Sequence, residues 1–259
     1  MNNQHLIFEI KNRIAWISFN RPGQLNAMNA IMMDEIIDVL NLVDKANASE
    51  IGVVVITGNG KAFMAGADIK EYAQQTQSQF DAFQIKGHSL YAAIENNSKV
   101  VIAAINGYAF GGGFEIALAC DIIVAAAGAK MGLPEILLNL IPGGGGTLRL
   151  TKKIGINLTN EIVMTGRTLI AEEMHTRGVI NHIFPKDNFI EKVTEFAGSF
   201  TNQLTDRLEI IKQLTQEAMI GITPALQQKE AENLGRFYKS EEGQEKIQSF
   251  YNKSLERKA

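Results

Sequence analysis

The sequence contains very little cysteine. Cys120 is the single cysteine in 259 residues, so no disulfide can form within the chain. A chain of this length buries most of the surface that it would expose when unfolded, and it therefore needs no covalent crosslinks. The lack of disulfides is typical of a reducing compartment, and we expect a cytoplasmic protein.

The chain also lacks a long apolar segment, a leader and a basic stripe. Polar residues, among them Asn106, Glu115 and Asp121, interrupt the longest apolar candidate, which excludes a membrane-spanning helix of about 18 residues. The first ten residues, MNNQHLIFEI, have no charged start followed by an apolar run, so we expect no signal peptide. The formal net charge is −3, and we therefore expect neither nucleic acid nor a membrane as a partner.

Several motifs of nucleotide binding, hydrolysis and metal binding are missing. The segment GNGKA (58–62) has alanine where a phosphate-binding loop needs serine or threonine, and the glycine clusters at 111–116 and 143–148 lack the last glycine of a dinucleotide fingerprint. No G-x-S-x-G motif is present, which argues against a serine hydrolase. The four histidines are far apart and show no ligand spacing, so we expect no metal.

What is present, in the first half of the chain, is an alternation of strand-like and helix-like segments. Apolar runs rich in β-branched residues predict strands at 13–20, 51–58, 99–107 and 122–128. Apolar residues at helical spacing predict helices at 28–46, 69–75 and 114–121. This order predicts an α/β protein with a parallel sheet and right-handed crossovers.

The second half changes in character after about Pro185. Only amphipathic helices are predicted there, at 186–201, 205–220, 223–238 and 241–257. Thr223 and Pro224 form a typical helix start, with proline at the first helical position. We therefore predict a core domain of residues 1–200 and a C-terminal helical region of residues 201–259. The apolar face of this region must be covered by its own core or by a neighbouring subunit.

Two glycine-containing turns, AGAD (65–68) and GGG (111–113), each follow a predicted strand and precede a helix. Backbone N–H groups at a helix N-terminus have no acceptor within the helix, and glycine or alanine lets another group approach them closely. The N–H groups of Ala67 and Gly112 are therefore candidate donors of an oxyanion hole, which stabilises a carbonyl oxygen that gains negative charge.

Each acidic residue near these turns also has an ordinary structural explanation. Asp68 and Glu71 fit a capping box for the helix at 69–75, and capping is the better explanation for Asp68. Glu115, like Glu135 after Pro134, lies in a first helical turn, where a glutamate is favoured by the helix dipole. Taken alone, neither glutamate indicates catalysis.

Four segments together are more specific than any of these motifs. The segments are FNRPGQLNAMN (19–29), GKAFMAGADIKE (60–71), VIAAINGYAFGGGFEIALACDIIVA (101–125) and MGLPEILLNLIPGGGGTLRL (131–150). They resemble the crotonase, or enoyl-CoA hydratase/isomerase, superfamily over nearly the whole chain. The resemblance implies a crotonase-like spiral of ββα units with a C-terminal all-helical region that serves in trimerisation or as a lid. It also implies an acyl-CoA thioester substrate and a homotrimer or dimer of trimers, with no separate cofactor because coenzyme A is part of the substrate.

The resemblance also implies roles for individual residues. Ala67 and Gly112 match the oxyanion-hole donors, and Glu115 and Glu135 match the two catalytic glutamates of the hydratase branch. We expect residues 72–98 to form part of the pocket wall. The positions that match the coenzyme A channel are Leu25, Ala27, Ala65, Asp68 and Ile69, and those that match the contacts at its nucleotide end are Phe250 and Lys253.

The presence of both glutamates is what the resemblance associates with hydration. The implied activity is that of a hydro-lyase, the reversible syn addition of water to trans-2-enoyl-CoA to give 3-hydroxyacyl-CoA, as in β-oxidation of fatty acids. An enoyl-CoA delta-isomerase or another acyl-CoA enzyme of the superfamily remains an alternative, as does a non-catalytic acyl-CoA-binding subunit. Acyl-chain length, pathway and the choice between coenzyme A and carrier-protein thioesters stay open.

Overall fold

The computed structural model describes residues 3–256, which fall into two compact units. The first unit ends at Thr205 and contains every strand of the described range, whereas the second begins at Asp206 and is helical. The strands are β1 Leu6–Lys11, β2 Ile14–Phe19, β3 Val53–Gly58, β4 Ala62–Met64, β5 Val100–Ile105, β6 Tyr108–Phe110, β7 Ile122–Ala126, β8 Lys130–Gly132, β9 Leu169–Ile170 and β10 His182–Phe184.

Helices connect the strands of the first unit and make up the second. Those of the first unit are α1 Ala30–Lys45, α2 Ile69–Tyr72, α3 Gln77–Glu95, α4 Gly112–Ala119, α5 Gly146–Ile154, α6 Ile156–Thr165, α7 Ala171–Thr176 and α8 Phe189–Thr201. The remaining helices are α9 Thr205–Ala218, which begins at the unit boundary, α10 Pro224–Tyr238 and α11 Glu241–Glu256.

The larger sheet has six strands in the order β1-β2-β3-β5-β7-β10. All neighbouring pairs are parallel except β1 and β2, which are antiparallel. Trp16, Val55 and Ile102 lie side by side across three strands. The central strands β3 and β5 are buried on both faces, which explains their continuous runs of apolar, largely β-branched residues.

The smaller sheet has four short strands in the order β4-β6-β8-β9. Each strand of the larger sheet from β3 to β7 is followed by one short strand of the smaller sheet and then by helical structure, as in β5–β6–α4. After β8 this helical part is a 3-10 turn, Glu135–Leu138, followed by α5. The repetition confirms the predicted spiral of ββα units.

Helices α1 and α3 pack against each other in the first unit. The Asn29 side chain begins α1 by accepting a hydrogen bond from the N–H of Met32 (3.0 Å). Thr76 and Gln79 form a capping box at the start of α3. Helix α3 lies within the segment 72–98 that we expected in the pocket wall, and the cavity described below confirms that prediction.

In the second unit, α10 begins as predicted. Pro224 is its first residue, and the Thr223 hydroxyl accepts a hydrogen bond from the N–H of Leu226 (3.1 Å). No strand follows β10 within residues 3–256, which agrees with the helical second half. In the same range, no helix is both long and apolar enough to cross a membrane. The predicted domain boundary after residue 200 stays a prediction.

Three sequence predictions need correction. The sheet is not wholly parallel, because β1 forms an antiparallel hairpin with β2. The helix predicted at 69–75 ends at Tyr72. The predicted capping box at Asp68 is half right, because Asp68 accepts from the N–H of Lys70 while the Glu71 carboxylate accepts from the N–H of Ala30 instead.

Candidate active site

The AGAD turn is held by a short parallel bridge to the segment that precedes α1. Met28 N–H donates to the carbonyl oxygen of Gly66, and Asp68 N–H donates to the carbonyl oxygen of Met28, both at 2.8 Å. Both bonds to Met28 are formed by the residues on either side of Ala67, namely Gly66 and Asp68. In such a parallel bridge the N–H of the residue between them, Ala67, points away from Met28. No residue in the described part of the chain accepts a hydrogen bond from it.

The GGG turn lies where β6 ends and α4 begins. Gly111 precedes the helix with a φ of +51°, a conformation that favours glycine. Gly112 is the first residue of α4, where an N–H has no acceptor within the helix. Within residues 3–256 no group accepts a hydrogen bond from the Gly112 N–H. The positive end of the α4 dipole adds to its strength as a donor.

The start of α4 lies directly against the end of β4. A Cβ atom on Gly113 would lie 2.1 Å from the carbonyl oxygen of Met64, so only glycine fits at this position. The AGAD turn follows β4, and Gly112 directly precedes Gly113. Contact between main-chain atoms therefore sets the distance between the two segments that carry the Ala67 and Gly112 donors.

Both turns line one cavity of about 480 Å³, and Glu115 and Glu135 line the same cavity. The wall is mostly apolar, and α3 contributes Phe83 and Tyr91 to it. The structure thus brings together all four residues that the sequence assigned to the oxyanion hole and to acid–base chemistry.

Glu115, on the first turn of α4, is buried and hydrogen-bonded. Its Oε1 accepts from the N–H groups of Gly144 and Gly146, each at 2.8 Å. Its Oε2 accepts from the Tyr91 hydroxyl at 3.4 Å. Burial raises the pKa of Glu115, and the groups that oppose this rise are the N–H groups of Gly146 and Gly144, the Arg149 guanidinium and the Tyr91 hydroxyl.

Glu135 begins the 3-10 turn after Pro134 and is half-buried. Its Oε1 lies over the N-terminus of α4, since a Cβ atom on Gly111 would come within 3.0 Å of it. Its Oε2 is buried and has no hydrogen-bond partner among the described residues. Burial raises the pKa of Glu135 to about 7; a hydrogen bond from its own N–H opposes this rise, and the charge of Glu115 adds to it.

The two carboxyl groups therefore have different preferences. Hydrogen bonds from backbone N–H groups favour the ionised form of Glu115. No other residue in the described part of the chain provides such a donor to Glu135, and its pKa of about 7 leaves this carboxyl about half protonated near neutral pH. The carboxylate can take a proton from a molecule bound in the cavity, and the carboxylic acid can give one to it. Both groups lie beside the amide donors of Ala67 and Gly112.

The predicted channel residues lie near this cavity. Ala65 and Ile69 line it, and Ile69 also lines a neighbouring groove of about 600 Å³ together with Ala27 and Asp68. Leu25 contributes its carbonyl oxygen, which accepts from the N–H of Ala65 (3.0 Å) and so helps to place the AGAD turn.

Asp68 has a clear structural role besides lining the groove. It caps α2 and pairs with the Arg21 guanidinium at 3.0 Å. Although burial alone would raise it, the pKa of Asp68 is lowered by the Arg21 hydrogen bond and by the Lys70 N–H. This agrees with the structural explanation favoured for Asp68 from the sequence.

The last two predicted residues belong to the second unit. Phe250 and Lys253 lie on α11 and are exposed within that unit. Their contact with the nucleotide end of coenzyme A stays a prediction.

Sequence reasoning missed the residues that hold Glu115. Gly144 and Gly146 belong to the segment IPGGGG (141–146), and nothing in the sequence assigns a role to these two glycines. Tyr91 and Arg149 lie far from Glu115 in the sequence, and no local pattern identifies them. Within the described range, no group of three or more histidine, cysteine, aspartate or glutamate side chains is arranged to hold a metal ion.

Comparisons with known proteins agree with this architecture. The family model described as Enoyl-CoA hydratase/isomerase matches residues 9–257. The chain is 31% identical to the short-chain-enoyl-CoA hydratase of Clostridium acetobutylicum, covering 98% of this chain and 97% of the relative. It is 34% identical to the 2,3-dehydroadipyl-CoA hydratase of Escherichia coli, covering 82% of each chain.

A solved structure gives the same result for the fold. The enoyl-CoA hydratase of Bacillus anthracis superimposes with a TM-score of 0.91 at 31% identity, covering 96% of this chain and 97% of that chain. The matches extend over the ββα spiral and the helical second half. The chain therefore belongs to the enoyl-CoA hydratase/isomerase family and has the crotonase fold.

Proposed function

We propose that this protein is an enoyl-CoA hydratase, a hydro-lyase that reversibly adds water to trans-2-enoyl-CoA and gives 3-hydroxyacyl-CoA. The observation that carries the proposal is the pair of glutamates in one cavity with two unpaired amide donors. The relatives named as hydratases support the same reaction class.

The thioester oxygen would accept hydrogen bonds from the N–H groups of Ala67 and Gly112. These bonds stabilise the enolate-like charge that develops on this oxygen while C3 becomes electrophilic. Removal of one such donor typically lowers the rate by about 100- to 1,000-fold.

The two glutamates would divide the proton transfers between them. Ionised Glu115 takes a proton from a water molecule as the water oxygen forms its bond to C3. Protonated Glu135 gives its proton to C2 as the enolate collapses to the thioester. Glu115 then carries the proton and Glu135 the charge, and exchange through solvent restores the starting state.

The remaining predictions belong to this proposal. The substrate is an acyl-CoA thioester, coenzyme A is part of it, and no further cofactor takes part. We also propose the cytoplasmic location, the homotrimer or dimer of trimers and the role in β-oxidation.

The test is hydration of crotonyl-CoA by the purified protein, followed by the loss of enoyl absorbance. Glu135→Gln should lower kcat by about 100- to 10,000-fold, the usual contribution of general acid–base catalysis. Binding of saturated butyryl-CoA should stay within about twofold by calorimetry, because the oxyanion donors remain.

Exposed Glu50 provides the control, since Glu50→Gln makes the same change from carboxyl to amide at an exposed position. Unchanged turnover in Glu135→Gln would remove Glu135 from the mechanism. A protein that moves the double bond of a 3-enoyl-CoA without hydrating crotonyl-CoA would be the isomerase, which needs only Glu135. Tight thioester binding without any turnover would identify a non-catalytic binding subunit.

A further inference from the structure

Tyr91 is a buried tyrosine in the cavity wall that the proposed reaction does not use. Only 3% of its surface is exposed, yet it lines the same cavity as both glutamates. Its hydroxyl is within hydrogen-bond distance of Glu115 Oε2, at 3.4 Å.

We propose that Tyr91 is a positioning residue for Glu115. Its hydroxyl holds Oε2, the carboxylate oxygen that takes the proton from the reacting water. This inference rests on the proposed hydration. It assigns to Tyr91 an action through Glu115 and no direct contact with the substrate.

The hydrogen bonds of Glu115 show why the hydroxyl matters. Oε1 receives two backbone donors, from Gly144 and Gly146, which occupy its two lone pairs. Among residues 3–256, the Tyr91 hydroxyl is the only donor to Oε2, which leaves one lone pair for a water molecule. The distance of 3.4 Å exceeds the usual O–H···O length of about 2.7–2.8 Å, and such bonds often tighten when the substrate complex forms.

Arg149 fixes both Tyr91 and the loop that carries Gly144. Its guanidinium lies 5.3 Å from the centre of the Tyr91 ring. One of its nitrogens donates to the carbonyl oxygen of Gly144, and two others donate to the Glu95 carboxylate at 2.7 and 2.8 Å. A bidentate pair of this kind holds the guanidinium in one orientation. The tyrosine ring is thus clamped independently of its hydroxyl.

The titratable and charged groups around Glu115 come from four elements. They are Tyr91 on α3, Arg149 on α5, Glu135 on the 3-10 turn and Tyr72 on α2. Burial, together with the charge of Glu115, raises the pKa of Tyr91 well above its usual value, so its hydroxyl stays a donor over the working pH range. Loss of that donor removes a group that lowers the pKa of Glu115.

The test compares Tyr91→Phe with wild type and with Tyr238→Phe, which removes a hydroxyl from an exposed tyrosine of the second unit. Phenylalanine keeps the ring under Arg149. For hydration of crotonyl-CoA, we expect kcat to fall about 3- to 10-fold with KM unchanged within about twofold, since one long hydrogen bond of ordinary strength is lost. The acidic limb of kcat/KM should move to higher pH, because Glu115 must be ionised and loses a donor that lowers its pKa.

A direct titration separates this inference from the proposed function. The carboxyl carbon of Glu115 is followed by ¹³C NMR in glutamate-labelled protein, with Glu115→Gln assigning the signal. Its midpoint should rise in Tyr91→Phe and stay unchanged in Tyr238→Phe, whether or not the protein hydrates any thioester. An unchanged midpoint in Tyr91→Phe overturns the inference, and inactive wild type overturns only the proposed reaction.

Fluorotyrosine gives a second perturbation that retains the ring and the hydroxyl of each tyrosine. Replacing all tyrosines by 3-fluorotyrosine makes the Tyr91 hydroxyl a stronger donor. The Glu115 midpoint should then fall in the wild-type background and not in Tyr91→Phe. Equal changes in the two backgrounds would assign the effect to other tyrosines and refute the role of Tyr91.

Discussion

Replacing Glu135 by glutamine should stabilise the protein at about pH 8 and should do so much less at about pH 5. The folded protein raises the pKa of Glu135 from 4.5 to about 7, because its carboxyl is desolvated and Oε2 has no partner among residues 3–256. The ionised form is therefore disfavoured in the folded state. This penalty is absent below about pH 4.5, grows up to about pH 7 and is complete above it.

The size of the effect follows from the same values. Each pH unit between the two pKa values corresponds to about 1.4 kcal/mol, so the full penalty is about 3 kcal/mol. Glu135 is half-buried, and solvent screening reduces the expected gain to about 2 kcal/mol. For a chain of this length, that gain corresponds to a rise in Tm of about 4–8 °C.

Thermal unfolding at the two pH values, followed by circular dichroism, measures this difference. Glu50→Gln is the matched control for the loss of one negative charge at an exposed site. The same Tm change at both pH values would contradict a raised pKa for Glu135. A loss of stability at about pH 8 would mean that the ionised carboxylate has a partner that glutamine cannot replace.

Two further substitutions test the shape of the site. Gly146→Ala puts a Cβ atom 2.9 Å from Glu115 Oε1. We therefore expect kcat to fall about 10-fold or more, with little change in KM. Gly198→Ala is the control and should leave kcat unchanged, because the space around its Cβ position is open. Phe83 lines both the catalytic cavity and a second cavity of about 430 Å³, so Phe83→Ala should join them and lower KM for decenoyl-CoA relative to crotonyl-CoA. An unaltered chain-length profile in a folded Phe83→Ala protein would show that the acyl group does not reach this wall.

The sequence predicted the strands that are buried on both faces. β3 and β5 are six-residue apolar runs rich in β-branched residues, and such a length and composition favour a buried strand over a helix. β4, with the three residues Ala62–Met64, and β9, with two, are too short to show a period, and their partners lie far away in sequence. Only the tertiary fold defines them.

The candidate site also has one part that local sequence motifs indicate and another that only the tertiary fold creates. Ala67, Gly112, Glu115 and Glu135 lie in local motifs that could be read from the sequence. The surroundings of Glu115 could not, because its donors come from a loop about thirty residues away and from α3, as the hydrogen bonds to Gly144 and Tyr91 show. The difference between the two carboxyl groups arises from these distant contacts, and so the sequence could name both acids without giving them separate environments.

The contact of Gly113 with the Met64 carbonyl has a consequence for how this scaffold can change. Since this contact is made by a backbone carbonyl, residues around the acyl group can be exchanged without disturbing it. The scaffold can thus acquire new acyl preferences while the two donor segments keep their spacing, provided that position 113 remains glycine.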